Sequence, residues 1–134
     1  MSGLILITVP SIVYGGYFLL TILSGEQEAL QLTEFQTSMF RAGHAHAGVL
    51  VILSLLAQLF TDHAGLSETW KWVVRVSFPL AAILVSLGFF AAAIGSRVTQ
   101  PTSLIAILYA GIAMLVFALA TLGIGLMRGK GMNS

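Results

Sequence analysis

Residues 41 to 60 read Arg-Ala-Gly-His-Ala-His-Ala-Gly-Val-Leu-Val-Ile-Leu-Ser-Leu-Leu-Ala-Gln-Leu-Phe. The second half, Val49 to Phe60, is almost wholly apolar and continues an ionisable cluster of Arg41, His44 and His46 without a break. A run of about 20 residues with this character matches the length of a helix that crosses a bilayer. Backbone amides have no water to bond in hydrocarbon, so a helix is the only economical structure for it. Ionisable groups inside such a helix are expensive, which marks the cluster as a functional site.

Outward from this stretch, the rest of the chain has the same solvent preference. Of 134 residues 57% are hydrophobic and 8% charged, against roughly a quarter charged in a soluble domain. Three further apolar runs accompany the first, giving spans of about 3–23, 37–60, 70–94 and 103–127. The polar breaks between them are Ser24–Gln36 with its glutamates, Thr61–Thr69 with Asp62, His63, Gly65 and Glu68, and Gly95–Pro101. The predicted fold is all-α: a polytopic four-transmembrane-helix bundle forming one domain over residues 1–134. Pro10 and Pro79 fall inside spans and predict kinks there. Gly3–Leu23 has no basic region ahead of it and is as long as a spanning helix, so it is expected to be retained rather than cleaved as a signal.

Composition also removes whole classes of chemistry. With no cysteine, disulfides, thiolate zinc sites, iron–sulfur clusters and cysteine nucleophiles are excluded. A net charge of +1 without a basic cluster excludes a nucleic-acid partner. No Gly-x-Ser-x-Gly elbow is present, and three histidines are too few for a membrane di-iron centre.

Four spans place both termini on one side, which collects Lys71, Arg75, Arg128 and Lys130, whereas the other holds Arg41 and Arg97 beside acidic residues. The positive-inside rule then predicts cytoplasmic termini in the cell membrane, with Trp70 and Trp72 at the inner interface. His44, about seven residues into its helix, lies roughly 10 Å inside the outer boundary. Tyr14, Tyr17, Phe89, Phe90, Tyr109 and Met114 are expected in a similar layer. His63 is about 25 Å along the axis from His46 and reads as a solvated turn residue.

Residues two apart on a helix point about 200° apart, so His44 and His46 look to opposite sides. Arg41 and His44, three apart, share a face. Small residues at 42, 43, 45, 47 and 48 let a helix neighbour or a flat macrocycle approach the backbone. Both faces are expected to meet a helix or a cofactor, since an imidazole in bare hydrocarbon has no partner. The bland alternative is packing: a histidine that donates to a neighbouring carbonyl, and an arginine that snorkels to the headgroups.

The segment Gly43-His44-Ala45-His46-Ala47-Gly48 resembles the His-x-His helix of haem-copper oxidase subunit I and its nitric oxide reductase relatives, and is similar to the pattern in small bacterial membrane proteins grouped with them. In that family the two histidines ligate different haems from opposite faces. The resemblance covers about a dozen residues, and this chain has neither a second-helix histidine nor a copper-site His-His pair. It implies His44 and His46 as axial or metal ligands. Bis-histidine ligation then needs a second subunit, or Met114 serves as the second ligand, with Arg41 meeting a propionate.

The expected function is therefore an outer-leaflet site for a redox cofactor, haem first, in respiratory or gas-related electron transfer. The candidate residues are His44, His46, Arg41, Tyr109 and Met114. Copper, which favours histidine and methionine, and quinone, which hydrogen-bonds to histidine, arginine and tyrosine, are the alternative ligands. A proton-relaying transporter and a non-catalytic accessory subunit are the alternative classes. The expected partners are the lipid bilayer and either further copies of the chain or other subunits of a membrane complex.

Overall fold

The computed structural model describes residues 1–26 and 31–130, with the side chain of Lys130 left aside. Four helices follow one another: α1 (Ser2–Leu23), α2 (Glu34–Asp62), α3 (Glu68–Ala92) and α4 (Ile105–Lys130). All four are long and apolar enough to span a membrane. The chain is thus an all-α, four-helix polytopic bundle, and among the described residues there is no strand.

α3 is the central element. It packs along α2 on one side and α4 on the other, while α1 lies against α2 and α4 touches α2 at few points. The seams have the seven-residue periodicity of left-handed helix packing. On α2 the buried residues Gln36, Gly43, Leu50 and Ala57 recur at that interval, joined by Ser54 and Thr61. On α4 the buried row is Leu108, Gly111, Ala118, Leu122 and Gly125. Glycine brings α3 and α4 into backbone contact: a Cβ on Gly88 would lie 2.4 Å from the Leu108 nitrogen, and one on Gly111 2.7 Å from the Val85 nitrogen. Without a hydrophobic drive between helices in lipid, such close approach supplies the dispersion contacts that hold a bundle together.

α2 begins three residues earlier than its apolar pattern predicts. Thr33 and Gln36 form a capping box, with the Gln36 amide donating to Thr33 Oγ1 at 3.1 Å and the Thr33 amide donating to Gln36 Oε1 at 3.2 Å. The Gln36 side chain is 2% exposed and also donates to the Ala93 and Gly95 carbonyls, at 3.0 and 2.9 Å. Those carbonyls belong to the C-cap of α3 and the turn after it, beyond the reach of helical donors. Thr33 Oγ1 donates to the Val98 carbonyl and Thr102 Oγ1 to the Ala91 carbonyl, so the end where α2 begins and α3 stops is closed by side chains. Gln36, read from sequence as a loop residue, is a buried clamp. Of the Ser24–Gln36 loop, residues 27–30, including Glu28, lie outside the described residues, as do residues 131–134 at the C-terminus.

Both in-helix prolines are accommodated without ending their helices. Pro79 has no N–H for the Arg75 carbonyl. Gln58 of α2 replaces it, donating from Nε2 to that carbonyl at 3.0 Å. On the terminal side, Arg75 pairs with Asp62, and the loop amide of Gly65 donates to the Gly125 carbonyl at 2.8 Å.

Candidate functional site

The long first turns of α2 set the depth of the site. With the helix starting at Glu34, His44 stands about 15 Å along the axis from its N-terminal end, one turn further along than the sequence expectation. The two histidines diverge as their spacing requires. His44, half-buried, faces α1, where a Cβ on Gly16 would lie 3.1 Å from its Nε2 and one on Gly15 would lie 3.6 Å from its Nδ1. The nitrogen-bearing edge of the imidazole therefore lies against a glycine pair of α1. Any larger side chain at Gly16 would occupy its position.

His46 turns toward α3 and the open surface. Its ring meets Phe89 with centroids 4.8 Å apart, and it is exposed. The Nδ1 atom lies 2.8 Å from the Ala42 carbonyl one turn earlier. Because a carbonyl only accepts, Nδ1 donates in that bond, which leaves Nε2 outside it. Both faces of α2 meet a helix, as expected, yet the enclosure expected for both imidazoles is seen for His44 alone. Gly43 lies between them: a Cβ there would stand 3.0 Å from Phe90 and 3.1 Å from Phe89. Phe40 stacks on Phe90 at 5.6 Å, completing an aromatic layer at the depth predicted for Phe89 and Phe90.

Arg41 and His44 line one groove with Gly16, Leu19, Leu20 and Leu23 of α1. Arg41 is exposed, and among the described residues no ion pair involves it. Its guanidinium and the His44 ring thus form a cationic and a polar wall on an otherwise apolar groove.

Tyr109 and Met114 are not part of this groove. They are carried by α4, which packs on α3, whereas His44 faces α1. Tyr109 is 61% exposed and Met114 half-buried on that distant helix. Tyr14 and Tyr17 flank the glycine pair on α1 but point outward, 71% and 62% exposed. His63 caps the end of α2 in the exposed turn, as predicted. Among the described residues no group of three histidine or acidic side chains converges. Sequence reading missed Gly15 and Gly16 as partners of His44. Their signal was two adjacent glycines inside a spanning run, a poor choice for helix stability unless something packs on them.

No family model, curated protein or solved structure matches this chain.

Proposed function

We propose that this is a small cell-membrane protein of electron transfer that binds a lipid-soluble quinone in the groove between α1 and α2. One observation carries the reading: Arg41 and His44 share that groove, so a guanidinium and an imidazole address the same ligand from one apolar wall. A quinone ring is flat and apolar with carbonyl oxygens at its edge. An N–H of His44 donates to one such oxygen, and the positive charge of Arg41 favours the ring when it is electron-rich. An imidazole can carry a proton on either ring nitrogen and so is suited to pass one to or from that oxygen. The distribution of lysine and arginine supports cytoplasmic termini, with this groove in the outer half of the membrane.

A second reading, haem at His46, is favoured by a separate observation. The Ala42 carbonyl holds His46 Nδ1, the usual way of orienting a ligating imidazole with Nε2 outward. On that exposed face the second axial ligand would come from another copy or another subunit.

The two readings separate in one preparation. Protein purified in mild detergent from quinone-containing membranes is extracted with solvent, and its visible spectrum is recorded. The expected result is stoichiometric quinone, lost in His44→Ala, reduced in Arg41→Gln and kept in His46→Ala. A Soret band that disappears in His46→Ala, without quinone in the extract, would replace the quinone reading by the haem one.

A further inference from the structure

A second space lies near the groove, on the side of α1 and α2 that faces α3. α1, α2 and α3 enclose a cavity of about 390 Å³, walled by Ile5 and Ile12 of α1, Ala47 and Val51 of α2, and Ala82 and Ser86 of α3. Its origin is topological. α1 packs chiefly on α2 and leaves a gap toward α3, and alanines at 47 and 82 recess the wall. Leu4 and Leu87, also in its lining, are 68% and 53% exposed, so the mouth opens sideways toward lipid.

The cavity lies close to the groove along the bundle, though the two share no lining residue. Ala47 follows His44 by one turn on the same face of α2, and Ile12 precedes Gly16 by one turn on α1, so the two spaces are about 5 Å apart along the bundle. One wall group is polar and unsatisfied. Ser86 is 8% exposed, and its hydroxyl has no hydrogen-bond partner. Ser54 and Thr61, buried in the neighbouring helix, instead donate to their own i−4 carbonyls at 2.7 and 2.6 Å. A hydroxyl held in hydrocarbon without a bond is costly, and a ligand oxygen would relieve it.

We propose that this cavity is the inner half of the quinone site: it takes the hydrocarbon tail, and the Ser86 hydroxyl donates to an oxygen of the same ligand. This rests on the quinone reading of the Arg41/His44 groove and adds to it the class of quinone, one with a long chain. A volume of about 390 Å³ lies within the range of small-ligand pockets, roughly 300–1,000 Å³. A bare benzoquinone would leave it unfilled.

The test titrates the purified full chain in detergent with two probes, a tail-less benzoquinone and its decyl-tailed counterpart, against wild type, Ala47→Phe, Ser86→Ala and His44→Ala. The tail is expected to tighten binding to the wild type by roughly tenfold, and Ala47→Phe, which fills the cavity, to remove that gain. Ala47→Leu is the milder filler if the phenylalanine variant does not fold. Ser86→Ala is expected to weaken binding severalfold while raising the melting temperature of the ligand-free protein, because it deletes an unbonded hydroxyl. A merely structural serine would move stability alone. If both probes bind equally, or the gain survives both fillers, the cavity assignment is overturned while the head-group reading stands. Tail-dependent binding that His44→Ala leaves untouched would keep the cavity and overturn the head-group reading. If neither probe binds, both fail.

Discussion

Gln58 is a single residue on which the continuity of a helix depends. Pro79 frees the Arg75 carbonyl within α3, and Gln58 supplies the missing donor from α2. Its own Oε1 remains without a partner, so its contribution is the one bond it donates. Gln58→Leu is expected to destabilise the bundle by about 1–2 kcal/mol, the cost of leaving a buried acceptor unsatisfied. In a Pro79→Ala background the helix closes its own bond, and the same substitution should cost much less. A double-mutant cycle measured by unfolding in detergent decides it, and additive costs would show that the two residues are uncoupled. The same scale governs His44. Its spacing from His46 is readable in the sequence, but the glycine pair that receives its ring lies on another helix.

At the scale of elements, glycine has opposite meanings at different positions. Gly88 sits where α3 meets the Leu108 backbone of α4, and the atoms 2.4 and 2.5 Å from a new Cβ are main-chain atoms that cannot swing aside. Gly88→Ala is therefore expected to push α3 and α4 apart at a cost of about 1–3 kcal/mol, despite the better helix propensity of alanine. Gly123 has nothing within 4 Å of its Cβ position. Gly123→Ala should stabilise by up to about 1 kcal/mol through propensity alone. The pair is compared by denaturation midpoint in one detergent, and a loss at both sites would refute the packing explanation. The length and apolarity of each helix were legible in the sequence, because hydrocarbon imposes them residue by residue. The early start of α2 was not, because the Thr33–Gln36 box is polar and is buried only once α3 arrives to accept its bonds.

For the whole molecule, the four helices create two ends with different chemistry. The end carrying Arg75, Asp62 and Lys71 is opposite the end carrying Arg97 and the Gln36 clamp. The chain has no cysteine, so single thiols report sidedness without background. In sealed membranes Ser96→Cys is expected to react with an impermeant reagent from outside and Thr69→Cys from inside. Reversed labelling would place the histidine groove in the inner leaflet.

The amino-acid order by itself determined that this chain has four helices apolar enough to span a membrane, that Arg41, His44 and His46 cluster at one end of the second, and that His44 and His46 diverge. Each follows from local quantities: transfer cost, helical pitch and charge. Only the tertiary structure decided which helix each histidine meets, that Tyr109 and Met114 stand apart from the Arg41/His44 groove, and that a cavity with an unbonded Ser86 opens between α1, α2 and α3. Those outcomes depend on α3 rather than α2 being central. That order is set by which glycine and alanine rows can approach most closely, and such complementarity between distant segments has no signature in any one of them.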